Sequence, residues 1–188
     1  MAMLNEITSS VYGCYKLAIR DKTALSYFNM SAAGFWSSFG AVLLALFITI
    51  LHRGIELRFL PDEIDGFSYT IAIGVAITIS WVLYLTMTAV LAKYFGFANQ
   101  FGGFVIVYNW SQFTLIALQL VLSIFTMGLF GPALATVIGL LFVGLSYVYL
   151  WYILRETLQV TGSVAVALAF MEFLIALLIQ KTTLDLIL

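Results

Sequence analysis

Residues 93–119 read KYFGFANQFGGFVIVYNWSQFTLIALQ, and this stretch decides the fold. Lys93, Tyr94 and Phe95 make a cationic aromatic hinge. It leads through Gly96 and the Phe101-Gly102-Gly103-Phe104 turn into a long apolar helix. Asn109, Gln112, Ile116, Gln119 and Ser123 follow at three- and four-residue steps, which puts the amides on one face of that helix. Amides in an oily segment have to be hidden, because lipid offers them no hydrogen-bonding partner. Other helices are therefore expected to gather around this one.

The totals agree. The chain has 188 residues, 63% hydrophobic and 9% charged, with a mean hydropathy of +1.10. Soluble domains run at about 45–50% apolar and about 25% charged. A water-soluble core cannot absorb this excess, so the expectation is an all-α membrane protein: five transmembrane helices preceded by an amphipathic N-terminal helix. A net charge of −1 gives no basic field for nucleic acid. One cysteine, Cys14, excludes an internal disulfide framework and any multi-cysteine zinc site, and one histidine, His52, leaves no histidine cluster. No cofactor is expected. No basic start followed by an apolar run marks a signal peptide. No fixed-period repeat divides the membrane domain, read as residues 31–188 after an arm at 1–30.

Working outward, the third span covers roughly 104–125, and Met127-Gly128-Leu129-Phe130-Gly131-Pro132 follows it. Gly131 suits a helix end and Pro132 the first turn of the next helix, so the third and fourth spans should form an antiparallel hairpin. The fourth span, roughly 133–154, has Ala135 and Gly139 at small-residue spacing and ends in Tyr147, Tyr149, Trp151 and Tyr152. Arg155-Glu156 and Thr161-Gly162-Ser163 precede the fifth, roughly 163–179, which carries Glu172 at its middle. A carboxylate at that depth costs about 2.5–3.5 kcal/mol on insertion scales unless it is neutral. Two readings stand for Asn109, Gln112, Gln119 and Glu172. They are either the lining of a polar path with Glu172 as its protonation site, or hydrogen-bonded glue between helices or subunits.

In the other direction, the second span covers roughly 67–92, with Thr70, Gly74 and Thr78 as a small-residue stripe suited to close packing. Before it, residues 52–66 form the charged loop HRGIELRFLPDEIDG. Asp62, Glu63 and Asp65 there could hold a hard cation, although they lack the glycine-spaced calcium pattern. The plainer reading is a solvated loop whose Asp65 caps the next helix. The first span, roughly 35–51, starts at the anchors Phe35 and Trp36 and closes at His52-Arg53, with helix continuing beyond. Ser31 can cap it; Asn29-Met30-Ser31 matches a glycosylation sequon at the membrane edge.

Residues 4–20 read as a helix with Leu4, Ile7, Val11, Cys14 or Tyr15, and Ala18 on one face, and Glu6, Ser9, Ser10, Lys16 and Arg20 on the other. It either lies flat in the headgroup zone, with Lys16, Arg20 and Lys22 toward lipid phosphate, or packs on the membrane domain. Cys14 is read as a small buried hydrophobe, with acylation as the alternative. With the N terminus inside, five basic residues (Lys16, Arg20, Lys22, Lys93, Arg155) face the cytoplasm and three (Arg53, Arg58, Lys181) lie outside. That bias points to N-in, C-out.

The stretch KYFGFANQFGGFVIVYNWSQFTLIALQL resembles the bacterial branch of the Ypt-interacting protein (Yip) domain family. So does YVYLWYILRETLQVTGSVAVALAFMEFLI, with the family's tryptophan-bearing helix, polar turn and alanine-rich last helix. Together they fall within residues 67–180, the extent of the resemblance. Phe130-Gly131-Pro132 is a partial echo of the family's acidic-glycine-proline motif. The first thirty residues look more like an N-terminal extension of some bacterial proteins. The resemblance implies five spans and a cytoplasmic N terminus, in a bacterial inner membrane. The GTPase binding of eukaryotic relatives depends on a long arm that is short here, so it is not carried over. The expected function is a non-enzymatic adaptor, organiser or accessory subunit, partnered by the bilayer and by a second copy or another membrane protein. The alternative is a small transporter, channel or lipid-moving protein using Glu172. An enzyme would need a Ser–His pair, paired aspartates or a metal set at membrane depth, and none is legible.

Overall fold

The computed structural model describes the backbone of residues 2–56 and 65–187, and side chains at 4–52, 65–126, 129 and 133–186. Its helices are α1 (Ala2–Ala18), a 3-10 turn (Ala24–Tyr27), α2 (Ala32–Glu56), α3 (Gly66–Phe95), α4 (Ala98–Leu158) and α5 (Gly162–Ile187). Among the described residues there is no strand. Among the described residues, five segments are long and apolar enough to cross a membrane: Ala32–His52, Gly66–Phe95, Ala98–Thr126, Ala133–Leu158 and Gly162–Leu186. This is an integral membrane protein.

Two of those segments belong to α4, whose 61 residues are helical throughout. It is nevertheless not one rod. Ser111 Oγ and Tyr149 OH lie 3.3 Å apart although 38 residues separate them, a distance of about 57 Å along a straight helix. The chain must double back between them, and the midpoint falls near residue 130, beside the expected glycine–proline link. The hairpin is present, with almost no loop. We call Ala98–Thr126 and Ala133–Leu158 the first and second arms of α4.

The first arm is the hub. Residues 104–111 are buried one after another, so this piece of helix is surrounded on all sides. α2 packs chiefly on α4, while α5 packs on both α3 and α4. α2 approaches through Ser38, Ala41, Ala45 and Thr49, a buried row of small residues at helical spacing. Small side chains let backbones come close where lipid supplies no hydrophobic drive.

The hinge is shorter than the sequence implies. Gly96 takes the left-handed conformation (φ 83°), and its N–H and that of Phe97 both return to the Ala92 carbonyl. α4 then starts at Ala98, so Phe101-Gly102-Gly103-Phe104 is helix and not a second turn. A break there would strand backbone groups at the membrane boundary, which a continuous helix avoids. The stripe Thr70, Gly74 and Thr78 also differs from expectation. A Cβ on Gly74 would meet nothing within 4 Å, and Thr78 is exposed. α3 instead buries Ile73, Ala76, Trp81, Tyr84, Thr88 and Ala92, because the aromatic side chains make the larger contact.

Asp65 caps α3 as expected, accepting from the Ser68 hydroxyl and from the backbone N–H groups of Ser68 and Phe67, and those bonds, the hydroxyl's foremost, lower its carboxyl below the usual range. Asp62 and Glu63, the other members of the suggested cation loop, lie outside the described residues. Ser31 accepts from Gly34 N–H at 3.2 Å at the start of α2.

Candidate functional site

α1 is docked on the bundle. Its buried face is Ser10, Cys14 and Leu17, with Ile7 half-buried. Ser10, assigned to the polar side by sequence, is 0% exposed, while Leu4 is 68% and Tyr15 57% exposed. The helix is rolled toward its small side chains because they fit against α4: Cys14 Sγ sits 3.6 Å from Ser111 Oγ, and Tyr149 OH donates to the Cys14 carbonyl at 3.0 Å. One residue of α1 thus touches both arms of α4. Burial pushes the Cys14 thiol up from its ordinary value and leaves no accessible sulfur for acylation.

The basic residues of this region do different things. Lys16 donates to Asp21 at 2.7 Å, and that bond raises the lysine and lowers the carboxyl to about 2. Asp21 also accepts from the Thr23 backbone and hydroxyl, closing the turn after Arg20, whose φ is 59°. The Arg20 guanidinium lies 5.7 Å from the Tyr152 ring centre, and Lys22 is exposed.

The polar residues of the first arm separate into two sites. Asn109, 0% exposed, accepts from Trp81 Nε1–H at 3.1 Å and donates to Ser38 Oγ at 3.0 Å. Ser38 in turn donates to the Phe35 carbonyl at 2.7 Å. Asn109 therefore pins α2, α3 and α4 at one level, and this amide is structural. Nothing in the one-dimensional pattern singled out Trp81 or Ser38 as its partners, although the small-residue row on α2 was there to be read.

Gln112 and Glu172 line one cavity of about 210 Å³ between α3, the first arm and α5, together with Ser80, Trp81, Tyr108 and Gln180. The structure thus brings together Gln112 and Glu172 of the four expected residues. Asn109 serves the neighbouring junction, and Gln119 is half-buried outside the cavity lining. Tyr147 of the second arm stands beside α5, its ring 5.6 Å from that of Phe173, the residue after Glu172. Trp81 and Tyr108 meet edge to face at 6.0 Å, and Tyr84 lies 5.3 Å from Tyr108. Sequence spacing found the carboxylate but not its tyrosines, which come from other helices. Among the described residues, no group of three or more His, Cys, Asp or Glu is placed to hold a metal ion.

These features define a helical membrane protein with five candidate spans among the described residues, a cavity between them that Gln112 and Glu172 help to line, and a docked N-terminal helix. No family model matches the chain, and neither a curated protein nor a solved structure does.

Proposed function

We propose that the protein is a non-enzymatic organiser or accessory subunit of a membrane assembly. The observation that carries this reading is the second face of α1. While Cys14 and Leu17 are buried on α4, Leu4, Tyr12, Tyr15 and Ile19 point outward at 46–68% exposure. Isolated exposed apolar residues are ordinary, but an aromatic row on one docked helix, flanked by Lys16 and Lys22, is a contact surface. Its partners are the headgroup region of the bilayer and a neighbouring membrane protein or second copy. The resemblance to the Yip domain family supports the same class. The five-to-three distribution of basic residues supports a bacterial inner membrane with the N terminus in the cytoplasm and the C terminus outside. Purification in mild detergent should yield a homo-oligomer or a stable partner, lost when Tyr12 and Tyr15 become serine. A monomer without partners at every concentration, with α1 still docked, overturns the proposal.

The Glu172 cavity favours a second reading, a small transporter or lipid-moving protein. Proton-coupled flux in reconstituted vesicles would then fall with Glu172→Gln. Unchanged flux removes that role.

A further inference from the structure

We propose that the cavity between α3, the first arm of α4 and α5 binds a substituted ammonium group, with Glu172 as its counter-ion and Trp81 and Tyr108 as its aromatic wall. This deepens the second reading, since it rests on the same cavity, but it requires binding only and no transport.

Glu172 stands ten residues into α5, about 15 Å from the Gly162 end along the helix. A carboxylate in such surroundings needs either a proton or a cation. Among the described residues its polar and aromatic neighbours on the cavity wall are Ser80, Trp81, Tyr108, Gln112 and Gln180, all uncharged, with Tyr147 beside α5. Arg155 of the second arm and Lys181 of α5 lie outside the cavity lining and are engaged elsewhere, over the Trp151 ring at 5.1 Å and with Asp185 at 3.2 Å. Among the described residues the cavity wall thus holds one carboxyl group and no basic side chain to match it.

The walls decide which cation fits. A hard metal ion takes six or more oxygen ligands, usually with several carboxylates. Here one carboxylate faces a cavity partly walled by aromatic rings. Aromatic faces attract weakly hydrated organic cations, and a quaternary or substituted ammonium gives up its water at small cost. The volume of about 210 Å³ accommodates such a head but little beyond it. Gln112, Ser80 and Gln180 add polar atoms for a hydroxyl or ester beside the charge. The same chemistry is offered by a free amine and by a choline-type lipid headgroup.

The test uses the full chain in nanodiscs of phosphatidylglycerol, titrated with tetramethylammonium chloride and, at equal ionic strength, with sodium chloride. Tryptophan fluorescence and calorimetry report binding. We expect saturable binding of tetramethylammonium with no response to sodium, weakened at least tenfold in Glu172→Gln. Slow maleimide labelling of buried Cys14 checks that the variant keeps its fold. Should the variant fail that check, the wild-type selectivity for tetramethylammonium over sodium decides alone. Equal responses to the two salts, or equal affinity in a folded Glu172→Gln, overturns the proposal. Repeating the titration in phosphatidylcholine nanodiscs separates the sources. Competition assigns the site to a lipid headgroup, and an unchanged titration assigns it to a free amine. Binding without flux would retire the transporter reading and leave the site standing.

Discussion

Near the Gly96 hinge, residues 104–111 are enclosed on every side, Asn109 pins three helices, and α1 closes over Ser111 and Tyr149. At the far end of the same bundle, Leu134, Val137, Leu140 and Leu141 of the second arm all face outward, and α2 and α3 leave an apolar groove beside Leu46, Ile50 and Gly74. The difference follows from what each end has to satisfy. The hinge end buries amides, indoles and hydroxyls, and bonds between helices, Asn109 with Trp81 and Ser38 and Tyr149 with Cys14, offset part of the cost of taking them out of water. The far end is aliphatic, and lipid satisfies it at no cost. Order is therefore imposed where polar groups are buried, and the far end is free to meet lipid or another chain.

Substitutions at the two ends should separate sharply. The largest effect is expected at Gly34, where an added Cβ would fall 1.8 Å from the Asn29 carbonyl oxygen. Gly34→Ala should cost about 3 kcal/mol or more, because backbone and not a flexible side chain has to yield. A thermal melt in detergent that matches wild type would show that the α2 entrance is looser than described. Next comes Asn109→Leu, which orphans the buried Trp81 N–H and should destabilise by about 1–3 kcal/mol. Gln119→Leu, on the same helix but outside both polar sites, should stay within about 0.5 kcal/mol. Equal losses at the two positions would erase the distinction between the ends.

At the open end the sign reverses. Gly74→Ala has empty space around it, so helix propensity should raise stability by up to about 1 kcal/mol. A marked loss in the same melt would mean that the groove is filled by a neighbouring chain. The smallest effect concerns Asp21. Its carboxyl is held down to about 2 by Lys16, so its stabilising contribution is present above the ordinary carboxylate value and fades as pH falls toward 2. The difference in melting point between wild type and Asp21→Asn should shrink over that window. A difference that is constant with pH contradicts the ion-pair account of the turn.

The architecture was legible because it is written in long apolar runs, and those are read without knowing any contact. The amide face, the Asp65 cap, the Gly96 hinge and the reversal before Pro132 were legible for the same local reasons. What the sequence could not supply was partnership between helices. Asn109 and Gln112 share a face by spacing, yet Asn109 meets Ser38 and Trp81 while Gln112 shares a cavity with Glu172. The roll of α1 was misread for a similar reason. Ser10 looks polar in isolation and is buried because a small side chain fits where Tyr15 would not.

α1 completes the packed end rather than lying free on the membrane, held there by Cys14 against Ser111 and Tyr149. Introducing Ser111→Cys puts a second thiol where Cys14 Sγ now meets a hydroxyl at 3.6 Å, across 97 residues of chain. Mild oxidation in native membranes should join the two within one chain, seen after denaturation as loss of maleimide-reactive thiols without a dimer band and reversed by reductant. Two thiols that stay free, or that pair only between chains, would contradict it.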